Sequence, residues 1–320
     1  MTSESFTING YPIGYDRYGT GPSPVLMIPG ALGTGKTDFY KQLEGDDQLD
    51  QDKFTIIAVD PPGWGQSRPP AITIYWWGWY GTGSSPVLMI PGALGTGKTD
   101  FYEQLEGDDQ LDQHKFTIIA VDPPGWGRSR PPARKYDDNI FNNDADCYYE
   151  LMKHLGFVRF HVIGWSDGAM ASICMVCKYP DAVIRMAIHG GLHTVYSKTI
   201  SVLKSTRNVE GWPKERLDGC LRAYQSKEEL QKLWDRHLKF VDYYNVYFPR
   251  DPLISKYPKV NCPILVMHGD KDALTTIDHP EYFVKHIKSA RLHQFPAGNH
   301  DLHSRYASSY KSLVEEFLLK

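Results

Sequence analysis

Gly164-Trp165-Ser166-Asp167-Gly168 constrains this chain more than any other stretch. Ahead of it, Arg159-Phe160-His161-Val162-Ile163 reads as a short buried strand, and behind it Ala169 to Cys177 reads as an apolar, tightly packed helix. A strand that turns into a helix this abruptly needs glycine at both ends of the pentapeptide, because a side chain there collides with the strand or the helix. The serine is then strained and exposed above a sheet. It also sits at a helix N-terminus, where backbone N–H groups favour negative charge. The pentapeptide alone also describes an ordinary glycine-rich turn. With both flanks present it reads as a nucleophile elbow, with Ser166 as candidate nucleophile.

A nucleophilic serine needs a base, and the base an orienting carboxylate, here in the chain order Ser, Asp, His. Downstream, Cys262 to Met267 is an apolar strand running into the polar loop His268-Gly269-Asp270-Lys271-Asp272. A helical stretch around Tyr282 to Ile287 follows, then a short strand, Arg291 to Phe295, that enters Pro296-Ala297-Gly298-Asn299-His300-Asp301. Asp272 is the candidate acid and His300 the candidate base. Asp270, nearer the strand, and His303 are their rivals, the latter equally readable as a surface residue of the last helix. The expected chemistry is acyl transfer to Ser166, with the backbone N–H groups of Asp167 and of Ala93 (or Ala31) holding the oxyanion.

Taken with Val25-Leu26-Met27-Ile28-Pro29-Gly30, Asp60-Pro61-Pro62-Gly63-Trp64-Gly65-Gln66-Ser67 and Gly298 to His303, these motifs resemble the α/β-hydrolase superfamily over nearly the whole chain. More narrowly, the chain is similar to the valacyclovir-hydrolase-type (biphenyl-hydrolase-like) serine esterases. The resemblance implies Ser166, Asp272 and His300 as a triad, and α-amino-acid esters as substrates. It also implies that Asp167 holds the substrate's ammonium group. An acid in a first helical turn also complements the helix dipole, worth about 0.3–1 kcal/mol, and the two roles can coexist. Two departures stand out. Asp-Pro-Pro-Gly replaces the relatives' Asp-Pro-Arg-Gly, and Lys36 and Lys98 stand where an acid is usual.

A third departure is larger. Tyr18 to Ala71 recurs as Tyr80 to Ala133, an offset of 80 − 18 = 62, changed only at Pro22/Ser84, Lys41/Glu103, Asp52/His114 and Gln66/Arg128. Identity over surface and core positions alike reads as a recent tandem duplication or an error in assembling the sequence. Two units are too few for a solenoid. A doubly wound sheet has one slot for the Val-Leu-Met-Ile-Pro strand and one for Phe-Thr-Ile-Ile-Ala-Val-Asp, so both copies cannot fill them. Copy one keeps an N-terminal hairpin (Ser5 to Gly19), but copy two runs directly into the helix before the elbow and is expected to be the docked one. The joint, Ala71 to Trp79, is rich in tryptophan and unlike the rest of the chain.

The repeat also carries Gly30-Ala31-Leu32-Gly33-Thr34-Gly35-Lys36-Thr37, and again Gly92 to Thr99, which fit the phosphate-binding pattern G-x-x-x-x-G-K-[ST] after an apolar strand. Nucleotide binding through Lys36 or Lys98 is therefore the alternative function. A hydrolase whose oxyanion loop the repeat has displaced, and whose catalysis is impaired, is a third. The hydrolase reading needs glycine-rich chain at the same place, because the backbone after the first strand must approach the serine. It accounts for the elbow, acid and base as well; the phosphate-loop reading does not.

The expected architecture is an α/β-hydrolase core over residues 1–191 and 260–320, mostly parallel, with the duplicated β-α-β segment inside it. Residues 192–259, with mixed charge and helical periodicity, are expected to form a helical cap. Its aromatics (Trp212, Tyr224, Trp234, Tyr243, Tyr244, Tyr247, Phe248) are expected to be mostly core, a few lining the pocket. At 320 residues, 41% apolar, there is ample material for this. A net charge of −3 gives no reason to expect nucleic acid or an anionic membrane as partner, and no apolar run approaches a membrane span. A small-molecule ester is the expected partner, with no cofactor, no metal and a monomeric state. Five scattered cysteines suit a reducing compartment, and Cys174-x-x-Cys177 reads as buried packing. Met1 to Ser5 lead at once into a strand, so a cytoplasmic location is expected, although the resemblance also allows a mitochondrial one.

Overall fold

A computed structural model of the chain describes residues 2–8, 11–29, 34–60, 77–247 and 253–320. They fall into two compact units, Met1–Ile72 and Thr73–Lys320. In the first, β1 (Thr2–Ile8) and β2 (Tyr11–Tyr18) form an antiparallel hairpin. β3 (Ser23–Met27), the one-turn helices α1 (Gly35–Asp38) and α2 (Tyr40–Leu43), and β4 (Phe54–Val59) follow. The sheet order is β1-β2-β4-β3, with β3 and β4 parallel, over a small core of Tyr18, Met27, Leu43, Ile56 and Ala58.

The second unit repeats that start and continues it. β5 (Trp77–Tyr80), β6 (Ser85–Ile90), α3 (Gly97–Asp100), α4 (Tyr102–Leu105) and β7 (Phe116–Val121) come from copy two and its approach. Then come α5 (Ile140–His154), β8 (Phe160–Trp165), α6 (Asp167–Lys178) and β9 (Val183–His189). Within residues 192–259 lie three helices: α7 (Ser197–Ser205), α8 (Lys214–Tyr224) and α9 (Lys227–Tyr247). β10 (Ile264–Gly269), α10 (Asp278–His286), β11 (Ala290–Phe295), α11 (Leu302–Arg305) and α12 (Ala307–Leu318) complete it. The sheet order is β11-β10-β9-β8-β6-β7-β5, parallel throughout except for β5 against β7.

Copy two fills the single pair of slots in this seven-stranded sheet, and β6 hydrogen-bonds to β7 on one side and β8 on the other. Among the described residues, copy one's β3 pairs with β4 alone. The same residues therefore differ in burial: Leu88 and Ile90 are fully buried, but Leu26 is 60% and Ile28 66% exposed. Fully burying one such side chain is worth about 1.5–3 kcal/mol, so a copy without a neighbour for β3 forgoes it. The compact unit that holds the seven-stranded sheet is Thr73–Lys320, since one copy alone fits that sheet. Of the tryptophan-rich joint, 77–79 lie on edge strand β5, while 71–76 lie outside the described residues.

Candidate active site

The elbow forms where the sequence placed it. β8 ends at Trp165, α6 begins at Asp167, and Ser166 between them has φ +56° and ψ −120°. This backbone conformation costs a non-glycine residue on the order of 1–3 kcal/mol and persists only where its surroundings fix it. The Ser166 N–H donates to the His189 carbonyl at the end of β9, 3.0 Å away. Both glycines are sterically required. A Cβ on Gly164 would lie 2.3 Å from Ser172 Oγ, and one on Gly168 would lie 2.1 Å from the Ile90 carbonyl.

At the C-terminal ends of β10 and β11 the two candidate partners meet: His300 Nδ1 is 2.7 Å from Asp272 Oδ2. The other oxygen, Oδ1, accepts from the N–H groups of Leu274 and Thr275, both at 2.8 Å. Burial pushes the Asp272 carboxyl up, but the His300 ring and these two backbone donors outweigh it and hold the group below the usual carboxylate range. The acid is thus kept ionised beside the imidazole.

The rivals do not share this contact. Asp270 accepts from Gln294 at an exposed site. His303 is not a surface residue: it is 2% exposed on α11, its Nδ1 2.9 Å from His189 Nε2, and burial lowers it to about 4. Burial of the short α11 against α4 explains the difference, since Gln104 Nε2 donates to the His303 carbonyl at 2.6 Å.

One cavity of about 840 Å³ gathers Ser166, Asp167, Ala93, Asp272 and His300 on its wall. Asp167 is the first residue of α6, so its N–H is one of the helix's orphan donors. Ala93 comes from copy two, in a turn closed by the Gly95 N–H on the Gly92 carbonyl at 3.1 Å. Ala31, its counterpart in copy one, lies outside the described residues. Above the elbow, His237 of α9 is almost fully buried, with its Nδ1 3.9 Å from Asp167 Oδ2. Burial lowers the His237 pKa, which Asp167 partly offsets. The expected cap segment supplies Trp212, Trp234, Phe240 and Tyr244 to the cavity wall, a choice the sequence had left open. Tyr243 is 40% exposed; Phe248 and the Tyr247 side chain lie outside the described residues.

The phosphate-loop alternative fails on geometry in copy two. Its helix is one turn, Gly97–Asp100, too short to present a helix dipole. Lys98 is paired with Glu106 at 2.8 Å and does not line the cavity. The Gly92 N–H, which a phosphate would need, already donates to Asp100 Oδ2 at 3.0 Å. A carboxylate against the loop backbone repels phosphate. In copy one, residues 30–33 lie outside the described residues, and Lys36 is paired with Glu44 at 3.1 Å.

The profile of the α/β hydrolase fold family matches residues 85–208, beginning in copy two. The mouse protein named serine hydrolase BPHL is 35% identical over 74% of this chain and 80% of its own length, and its human counterpart is likewise 35% identical over the same shares. This chain belongs to the α/β-hydrolase family. It is an enzyme of the hydrolase class, similar to the BPHL serine hydrolases. An esterase from Exiguobacterium antarcticum shares the fold, with a TM-score of 0.57 and 19% identity over 77% of this chain and 95% of that one. Among the described residues no helix of this hydrolase is long and apolar enough to cross a membrane.

Proposed function

We propose that the protein hydrolyses carboxylic esters, α-amino-acid esters foremost, through an acyl-enzyme on Ser166. The observation that carries this reading is the 2.7 Å contact of His300 with Asp272, on the wall of the cavity that Ser166 also lines. His300 takes the Ser166 proton as the hydroxyl attacks the ester carbonyl, and Asp272 holds the imidazole tautomer. The N–H groups of Asp167 and Ala93 receive the oxyanion. Collapse of the tetrahedral intermediate expels the alcohol, which takes the proton from His300. Water then repeats the attack and releases the acid and the free serine.

Asp167 gives the reading its substrate class. A carboxylate beside the nucleophile, under a helical segment that limits screening, offers a substrate ammonium a charge-assisted hydrogen bond. The BPHL likeness supports serine hydrolysis, and the elbow acid supports the amino-acid ester. A fluorophosphonate probe tests the nucleophile directly. The expected result is stoichiometric labelling of the wild type and none of Ser166→Ala; an unlabelled wild type overturns the reading and points to an impaired hydrolase.

A further inference from the structure

The cavity holds both signs of charge. Asp167 lines it from the elbow, and Arg216 of α8 lines it from the helical segment opposite in sequence. The Arg216 guanidinium lies 4.8 Å from the Trp212 ring centroid and 5.9 Å from that of Trp165. Contacts with ring faces leave the N–H edge of the guanidinium available. Its single hydrogen bond among the described residues is long, from Nη2 to the Ala93 carbonyl at 3.4 Å. The arginines that form ion pairs among the described residues are Arg130, Arg134, Arg207 and Arg305, and Arg216 is not one of them.

An arginine is never neutral in a protein and carries five donors. Keeping one partly buried without a counter-ion is costly unless something that binds supplies the charge. Asp100, which also faces the cavity, attracts Arg216 from a distance but is not hydrogen-bonded to it. Its oxygens are taken by the Gly92 N–H at 3.0 Å and the Thr99 hydroxyl at 3.2 Å. Burial raises its carboxyl to about 6 and Arg216 opposes that rise, so the two attract, yet among the described residues no ion pair joins them. Asp301 on the same wall is already paired with Arg305 at 3.0 Å. Glu215 is exposed and precedes Arg216 on the helix.

Resting on the ester-hydrolase reading above, we propose that Arg216 is a second charge-reading subsite, and that the preferred substrates are α-amino-acid esters that also carry a carboxylate. Asp167 receives the ammonium and Arg216 the carboxylate, through the planar two-point hydrogen bonding that guanidinium offers. Two opposite charges fixed at separate points of one cavity orient the ester over Ser166 in a single sense, which either charge alone does not. The carboxylate can belong to the acyl side chain or to the alcohol portion, and the chemistry read by Arg216 is the same.

The test uses the purified full-length chain and two matched pairs of esters. Aspartate α-methyl ester against asparagine α-methyl ester places the carboxylate on the acyl side. The alanyl ester of glycolate against that of glycolamide places it on the alcohol. In at least one pair the anionic member should have a kcat/KM higher by about tenfold to a hundredfold, and that pair identifies the source. In Arg216→Gln the ratio should fall toward one, while Arg216→Lys should keep part of it. Fluorophosphonate labelling of both variants shows that the site is still assembled. A ratio near one in both wild-type pairs, or a ratio unchanged in Arg216→Gln, overturns the subsite. If the probe labels Ser166 and esters are cleaved without anionic preference, only this inference falls. If neither labelling nor cleavage occurs, the hydrolase reading falls with it.

Discussion

The indole N–H of Trp165 donates to the main-chain carbonyl of His300 at 2.9 Å. Trp165 is the residue before the nucleophile, so one hydrogen bond ties the elbow to the loop that carries the candidate base. Gly190 closes the other side: a Cβ there would come within 2.7 Å of the His300 ring. His300 is thus located by groups that perform no chemistry, and a small shift in its ring is expected to be costly to rate.

Trp165→Phe should therefore keep an aromatic ring and lose the indole N–H that forms the tether. The expected outcome is a kcat lower by about tenfold or more with KM little changed, since about 1.4 kcal/mol of positioning is a factor of ten. Steady-state kinetics on one ester measures it. A rise in KM at constant kcat would assign Trp165 to substrate binding instead.

For the triad, Ser166→Ala should abolish ester hydrolysis with the fold intact, and His300→Ala should come close to it, each costing several powers of ten, roughly 10³ or more. Circular dichroism and kcat on the purified variants separate the two effects. An active His300→Ala beside an inactive His303→Ala would transfer the base to His303.

Asp167→Asn keeps the backbone N–H that serves the oxyanion and removes the charge. Free α-amino esters should lose their advantage over N-acetylated counterparts, an advantage of about tenfold to a hundredfold in the wild type. Equal kcat/KM for free and acetylated esters in the wild type would leave Asp167 as a helix-dipole residue.

Deleting Gly19 through Tyr80 joins Tyr18 to Gly81 and restores one copy. The registers match: β2 pairs with β4 as Tyr15↔Val59 and Tyr18↔Ile56, and β5 pairs with β7 as Trp77↔Val121 and Tyr80↔Ile118. Each pair differs from the other by the repeat offset, so β2 can take the β5 place on β7 without a shift. The shortened chain should be soluble, at least as stable, and as active. Loss of expression or of esterase activity would show that the removed copy is structural.

Stability should fall on the acid side through the buried histidines. Burial lowers His303 from its ordinary value of 6.5 to about 4, so the unfolded chain binds a proton in that window and the native state does not. Its contribution is complete above the ordinary pKa. It is lost as pH falls toward about 4, at up to about 1.4 kcal/mol per pH unit. Asp100, raised to about 6 by burial, has the opposite sign, but it is common to wild type and variant. Urea midpoints of His303→Gln should therefore slope less steeply between pH 6 and 4, to roughly the extent of one proton. Parallel curves would show that His303 protonates freely.

The sequence by itself determined the strand-turn-helix at Ser166, the parallel character of the sheet and the identity of Asp272 and His300 as candidates. These rest on local rules: apolar periodicity, glycines that no side chain can replace, and acid and base placed at strand ends. It could not separate His303 from a surface residue, because the ring is covered by Phe101, Trp165 and His189, all far away in the chain. Nor could it place Arg216, Trp212 or His237 on the cavity wall, since helical periodicity gives a face but not its neighbour. The repeat shows the limit most directly. Val25-Leu26-Met27-Ile28 and Val87-Leu88-Met89-Ile90 are the same four residues, with the same propensities. One set is enclosed between β7 and β8, and the other is left with Leu26 and Ile28 in solvent. Burial belongs to the pair of surfaces that meet, and only the tertiary structure decides which surfaces those are.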